Sequence, residues 1–352
     1  MVAASEGSYG GVEVYTAAIA KDVLSSGECE VRVVYRVRRG VPIQDSLPRG
    51  LAKFGVTWRV LSMLDFQYLR DLLWADVVHC HFPVIYATYP ARLLGKKLII
   101  TIEAKRKPPH GLRFLFGLKL AHAQWYISQF VAESWGVSRF DENCRIVPAT
   151  SDLPTAYVPP ASRKGLFFIA RWIPEKGLEQ LVEAYATAHI DRQAHPLFLF
   201  GDGPLRNEIE CLVDRWKIRD HVEMPGFASA AEKEEQMSSS MWNIAPVTFP
   251  EDLGLTPIEA RCCAVPSIVS RVGGLPEAAG EHALFCEPGN VESLRKCLER
   301  AATMSGEEYE SRSENCKASL STYLPQPGFY YQEYLRFLKI SKERQTPIRP
   351  RP

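Results

Sequence analysis

No run of 18 apolar residues occurs in this 352-residue chain, and its most apolar stretch, 112–127, is broken by Arg113, Lys119 and His122. A membrane-spanning helix needs about 20 such residues, so none is expected. The nine cysteines are odd in number, scattered from Cys29 to Cys316, and form no C-x-x-C pair. Neither a zinc site nor a disulfide framework is drawn, which favours a reducing cytoplasm. The first ten residues carry Glu6 and no apolar segment, so no signal peptide is expected. D-x-D is absent, and so is the dinucleotide fingerprint G-x-G-x-x-G. His79 and His81 alternate on one strand and so share a face, but no third ligand accompanies them. They read as packed at the strand end, and no metal is expected. What is present, 46% hydrophobic and 24% charged residues, is the composition of a soluble globular protein whose core needs no staples.

Charge is unevenly spread. Residues 1–150 hold 19 Lys and Arg against 13 Asp and Glu, and the rest hold 23 against 28. Arg36, Arg38 and Arg39 form one basic group; Lys96, Lys97, Lys105, Arg106 and Lys107 form another. A basic half suggests an anionic partner, a phospholipid surface or a pyrophosphate-linked acceptor. The alternative is a solvated surface neutralised across an interdomain cleft.

Short apolar runs alternate with helix-period runs throughout, which argues for parallel sheets flanked by helices. Strands are read at 31–35, 77–81, 98–102, 124–127 and 145–147, then at 165–170, 197–200, 221–224, 243–245, 267–269 and 283–285. A helix is read over 57–73, mixing Trp58, Leu61, Leu64, Leu69 and Leu72 with Arg59 and Arg70. It is either a membrane-contact helix or a core helix with exposed arginines. Proline and small polar residues from Val147 to Pro154, then Pro159-Pro160, mark a linker. The reading is therefore α/β, with two Rossmann-like domains, at 1–152 and 153–324, facing a cleft. A last helix, within about 325–342, follows. The Gly-rich turn from Gly7 to Gly11 should follow a first strand, yet only Met1 to Ala4 precede it. That strand is either unusually short or cut, and the second is preferred.

The chemistry concentrates in Pro250-Glu251-Asp252-Leu253-Gly254-Leu255-Thr256-Pro257-Ile258-Glu259. A Gly-containing turn opens a helix there, and a helix start offers unpaired N–H groups and a positive dipole end to phosphate. Glu251 and Glu259 beside it can accept from hydroxyls. Together these suit a nucleotide-sugar. Alternatively, Thr256, Pro257 and Glu259 are the N-cap, N1 and N3 of a capping box, and Glu259 is purely structural. Arg171 ends a strand, and Lys176 follows in Arg-Trp-Ile-Pro-Glu-Lys-Gly. A planar fork and a point charge from one proline-stiffened loop suit a diphosphate, or else form a solvated surface loop. Gly201-Asp202-Gly203-Pro204 follows a strand, where glycine lets backbone approach a ligand, or else forms a plain strand-to-helix turn; Pro225-Gly226-Phe227 follows another strand.

The spacing Glu251 to Glu259 resembles the E-x(7)-E signature of the retaining glycosyltransferases of family 4, which have the GT-B fold. Arg171 and Lys176 resemble that family's R-x(4)-K-G motif, and Gly10-Gly11 its first-domain glycine pair. The resemblance is strongest over about 165–299. It implies a retaining, metal-independent hexosyltransferase without a cofactor. Glu251, Arg171 and Lys176 would be catalytic; Gly10, Gly11, Gly203, Gly226, Phe227, Gly254, Leu255, Thr256 and Glu259 would bind a UDP- or GDP-sugar donor. The implied acceptor is a glycan, a lipid-linked molecule or a small molecule, in cell-surface polysaccharide or glycoconjugate synthesis. The implied setting is cytoplasmic, with peripheral membrane contact through the basic half and no nucleic-acid partner. Two positions depart from the family pattern. Glu103 stands where the family usually has a histidine facing the donor sugar, and is a candidate sugar contact. Pro148-Ala149-Thr150 replaces Pro-Asn-Gly. The alternatives are a nucleotide-sugar epimerase of GT-B architecture and a catalytically silent nucleotide-binding scaffold.

Overall fold

The computed structural model describes residues 1–5, 11–52, 55–61, 65–106, 112–147, 153–320, 323–324 and 326–345. Gly10 and the Pro148-Ala149-Thr150 turn lie outside them. The chain divides into two units, Met1–Asp152 with Leu324–Pro352, and Leu153–Tyr323.

The first unit is a seven-stranded sheet. Its strands are β1 (Val2–Ser5), β2 (Arg32–Val37), β3 (Thr57–Leu61), β4 (Val77–His81), β5 (Lys97–Ile102), β6 (Ala123–Tyr126) and β7 (Cys144–Ile146), in the order β3-β2-β1-β4-β5-β6-β7. Every pairing is parallel. The interspersed helices are α1 (Gly11–Leu24), α2 (Ser46–Ala52), α3 (Phe66–Trp74), α4 (Ile85–Leu93), α5 (Leu112–Lys119) and α6 (Gln129–Ser134). Leu98, Ile99 and Ile100 are consecutive and all fully buried, as in a parallel strand covered on both faces. The four-residue β1 is central, pairing Val2 with Val34 on one side and with Cys80 on the other.

The helix read over 57–73 is corrected by the structure. Thr57–Leu61 is an edge strand in register with β2, from Arg32↔Thr57 to Arg36↔Leu61. Threonine, tryptophan and valine favour a pleated surface, and the helical spacing of the leucines misled. The helix starts only at Phe66, where the Asp65 carboxylate caps it by accepting from Tyr68 N at 2.7 Å. No 17-residue amphipathic helix exists there to lie on a membrane.

The second unit has six parallel strands: β8 (Leu166–Ile169), β9 (Leu197–Phe200), β10 (Val222–Gly226), β11 (Trp242–Ala245), β12 (Ser267–Ser270) and β13 (Leu284–Cys286). Their order is β10-β9-β8-β11-β12-β13. Its helices are α7 (Leu178–Thr187), α8 (Arg206–Arg215), α9 (Ala230–Ser239), α10 (Leu255–Cys262), α11 (Leu275–Ala279), α12 (Val291–Ala302) and α13 (Gly306–Ala318). Leu178, Leu181, Val182 and Tyr185 form the apolar stripe of α7 and pack into one core with Trp172, Trp242, Leu294 and Leu298. Each such side chain contributes about 1.5–3 kcal/mol by leaving water.

Two arginines are buried in this unit and bind only neutral oxygens. Arg163 donates to the carbonyls of Val158, Ala264 and Cys263. Arg261 donates to the carbonyls of Cys316 and Ala278 and to Ser319 Oγ, at 2.8–3.0 Å. Apart from that of Val158, these carbonyls are ones that helix C-terminal ends leave over.

The last helix, α14 (Phe329–Gln345), packs on α1 in the first unit. Asp22 caps it by accepting from Gly328 N at 2.7 Å and Tyr330 N at 2.9 Å.

Candidate functional site

In an open α/β sheet, ligands bind beyond the C-terminal strand ends, where the strand order reverses. In the second unit that point lies between β8 and β11. The loops leaving these two strands are laced together: Thr248 N donates to the Glu175 carbonyl at 3.0 Å. Lys176 ends a one-turn 3₁₀ segment, Pro174–Lys176, and Gly177 stops it at φ 69°. A Cβ on Gly177 would stand 1.9 Å from the Pro246 carbonyl oxygen, so only glycine lets the two loops meet. The consequence is an ion pair between Lys176 and Glu251, 75 residues apart in sequence. The side chains stay 30% and 24% exposed, within reach of a solute. The Glu251 backbone is pinned as well, because its carbonyl accepts from Gly274 N at 2.8 Å.

Gly254 is the N-cap of α10, with φ 97° and no side-chain cap. A Cβ there would press to 2.5 Å from Leu275 Cδ2. Among the described residues, nothing accepts from the N–H groups of Gly254, Leu255 or Thr256. The helix therefore presents an uncapped, electropositive start next to Glu251. This corrects the capping-box alternative: Thr256 is inside the helix, and Glu259 accepts from Lys233 Nζ at 2.6 Å instead. Lys176, Glu251, Thr256 and Pro257 line a cavity of about 30 Å³ with the ends of β8 and β11.

Arg171, two residues beyond the end of β8, is exposed and has no ion-pair partner among the described residues. It adjoins the Gly201–Gly203 turn: Trp172 N donates to the Asp202 carbonyl at 2.9 Å. A Cβ on Gly203 would meet the Trp172 carbonyl oxygen at 2.5 Å. Gly201 N donates in turn to the Gly226 carbonyl at 2.7 Å, and Phe227 beside it is 80% exposed. Arg171, Gly203, Gly226 and Phe227 thus share one rim, while Lys176, Glu251, Gly254, Leu255 and Thr256 share the adjoining one. Lys233, one turn into α9, is the residue that sequence reasoning missed. Only its pairing across 26 residues marks it, and spacing alone carries no such signal.

The first unit is arranged otherwise. His79 and His81 are buried, their rings stacked 4.9 Å apart. The Tyr334 and Thr101 hydroxyls hold the two nitrogens of His79 at 2.6 and 2.7 Å. Burial, then the neighbouring His81, keep His79 well below the ordinary histidine range, so it is neutral. Glu103 is bound to His81 Nδ1 and its side chain is only 8% exposed, so its carboxylate already has a partner. Gly11 begins α1. A cavity of about 440 Å³ in this unit opens among Val31, Arg32, Asp76 and Val77, where β2 and β4 begin. That is the wrong end of the strands for a ligand site of this fold, so size is a poor guide here. Among the described residues, no group of three His, Cys, Asp or Glu could hold a metal ion, and no helix is long and apolar enough to cross a membrane.

Two parallel, Rossmann-like α/β units of this kind define the GT-B fold. Over 97% of its length the chain is similar to Anabaena HepE, solved with UDP and glucose: TM-score 0.71 at 14% identity, covering 99% of that protein. Residues 153–319, nearly all of the second unit, match the family model described as glycosyl transferases group 1. Over 277 residues, 76% of the chain, it is 27% identical to an exopolysaccharide phosphotransferase of Streptomyces coelicolor, and it spans 29% of that protein. A 2-deoxystreptamine glucosyltransferase of Streptomyces kanamyceticus is 24% identical over 313 residues, 78% of this chain and 80% of that one. The chain spans 35% to 61% of the length of three further curated relatives.

Proposed function

We propose that this chain is a retaining glycosyltransferase of family 4. It moves a hexose from a nucleoside-diphosphate-sugar to a glycan, lipid-linked or small-molecule acceptor in polysaccharide or glycoconjugate synthesis. The observation that carries this reading is the Lys176–Glu251 pair beside the uncapped start of α10, at the strand-order reversal of the second sheet. Arg171, Lys176 and the amides of Gly254 and Leu255 hold the diphosphate and stabilise the charge that grows on it as the anomeric C–O bond breaks. That is preorganised electrostatics, commonly the largest catalytic term. The bonding pair leaves with the diphosphate oxygen, and the acceptor oxygen bonds to the anomeric carbon on the same face. The acceptor proton passes to a phosphate oxygen, so no separate general base and no metal are required. Glu251 accepts from sugar hydroxyls and favours positive character at the anomeric carbon; Glu259 holds the ribose.

HepE, solved with UDP and glucose, supports UDP-glucose as the first donor to try. The surplus of Lys and Arg in residues 1–150 supports contact with an anionic membrane surface on the cytoplasmic side.

The test starts from stabilisation of the protein by a panel of UDP- and GDP-sugars, read against the bare nucleotides. Transfer from the best donor is then followed by NMR of the product, with and without a chelator. A retained anomeric configuration that survives chelation is expected. An inverted product, or activity abolished by the chelator, contradicts the reading. Cosedimentation with anionic vesicles at low salt is the matching test of membrane contact, and no binding removes that part.

A further inference from the structure

Lys233 is the only cation among the described residues paired with Glu259. It stands one turn into α9, a helix fixed at its start by a reciprocal cap: the Ser229 side chain accepts from Glu232 N, and the Glu232 carboxylate from Ser229 N. The next residue, Glu234, ties the same turn to the chain at Thr155 and Ala156, accepting from both backbone N–H groups at 2.7 Å. From the other side, Met237 of α9 packs with Ala260 of α10 and with Cys263 in one buried cluster. Lys233 therefore approaches Glu259 from a rigid platform rather than as a loose surface lysine. It engages Oε1 of Glu259 at 2.6 Å, and the side chains are 27% and 16% exposed. The second carboxylate oxygen has no partner among the described residues. One oxygen held and one open is the arrangement a carboxylate needs to accept from a sugar hydroxyl in a set direction. The lysine charge also offsets the repulsion a bare carboxylate would exert on a nearby diphosphate.

We propose that Lys233 is a positioning residue that aims Glu259 at the ribose of the donor, and so sets the preference for ribonucleotides over deoxyribonucleotides. The proposal rests on the donor site described under Proposed function. The same platform follows directly on the Gly226–Phe227 loop, which shares a rim with Arg171. One short segment would thus carry both the loop beside the nucleotide and the residue that reads its sugar.

The experiment measures binding of UDP, GDP and their 2′-deoxy counterparts by calorimetry to the wild type, Lys233→Met, Lys233→Arg and Glu259→Gln. Circular dichroism and thermal unfolding are recorded to check that each variant folds. For the nucleotide the wild type binds, Lys233→Met should weaken the ribose form about tenfold while the deoxy form changes by less than about twofold. Glu259→Gln should collapse the same ratio, and Lys233→Arg should restore most of it. A merely structural role for Lys233 would weaken both forms equally. If the ribose-to-deoxyribose ratio is unchanged in a folded Lys233→Met that still binds, the inference is overturned while the donor site stands. If neither UDP nor GDP binds the wild type, the donor site falls and takes the inference with it.

Discussion

In the first unit, described side chains of β4 and at the end of β5 pair with one another. At β4 and β5, His79 is held by Tyr334 and Thr101, and His81 is held by Glu103; all but Glu103 are almost wholly buried. At the equivalent edge of the second unit the charges stay open. Lys176 and Glu251 are 30% and 24% exposed, Arg171 has no ion-pair partner among the described residues, and α10 starts without a side-chain cap. The sheets share one plan, with the strand order reversing beside a central strand, so the plan alone does not make a site. The difference lies in what the loops leave unsatisfied. Buried polar groups nearly always find partners. Where partners are missing at a solvent-reachable edge, a ligand is the natural completion.

This contrast can be broken most forcefully at Glu251. Glu251→Ala should lower kcat for sugar transfer roughly a thousandfold, ~4 kcal/mol of transition-state stabilisation, while nucleoside diphosphate still binds. Lost binding with unchanged turnover would sink the assignment. Next comes the buried frame behind the open edge. Arg261→Met leaves the Ala278 carbonyl without a donor among the described residues and takes one of two donors from the Cys316 carbonyl, which keeps Ser319 Oγ, and should cost about 3 kcal/mol in denaturant unfolding. A change within error would mean that the buried guanidinium is not holding α10 in place.

The third change addresses the closed edge. His81 Nε2 is buried without a partner among the described residues, so Glu103→Ala would leave the ring with none of them on either nitrogen. A loss of about 2 kcal/mol in unfolding stability is expected. Unchanged stability with impaired transfer would instead make Glu103 a sugar contact.

The smallest effect is on pH dependence. The folded pKa of His79 lies below its unfolded value, about 6.5. The unfolded chain therefore takes up a proton first as pH falls. Stability is full above that value and declines below it, by at most about 1.4 kcal/mol per pH unit for one proton. His122 adds in the same direction, brought to about 4 by burial and then by Arg92 and Lys97. Thermal unfolding of His79→Gln between pH 7 and 4 should show a flatter slope than the wild type. An identical slope would show that His79 is not the group being protonated.

Much of this molecule can be read from residue order alone, because its strands are short β-branched or aromatic runs set between helix-period segments. The runs at Val77–His81 and Leu197–Phe200 need no context to be found. The stretch 57–73 defeats that approach. Its leucine spacing fits a helix, while pairing with β2 decides the first half and the Asp65 cap decides the second. At the site, Glu251, Lys176 and Arg171 are visible through their motif spacing. The Lys176–Glu251 contact is legible only once Gly177 is seen against Pro246. The Lys233–Glu259 pair depends on how α9 packs beside α10, which no local pattern encodes. Glu103 is visible as a departure from a pattern, but its partner His81 lies on another strand and emerges only from the sheet register, where His81 pairs with Thr101.

The most direct measurement is calorimetric binding of UDP or GDP, whichever binds, and of the matching nucleoside, to the wild type, Arg171→Ala and Lys176→Ala. If the open edge is a diphosphate clamp, each substitution weakens the diphosphate by roughly tenfold or more and leaves the nucleoside unchanged. Equal losses for both ligands, or none for either, would contradict it.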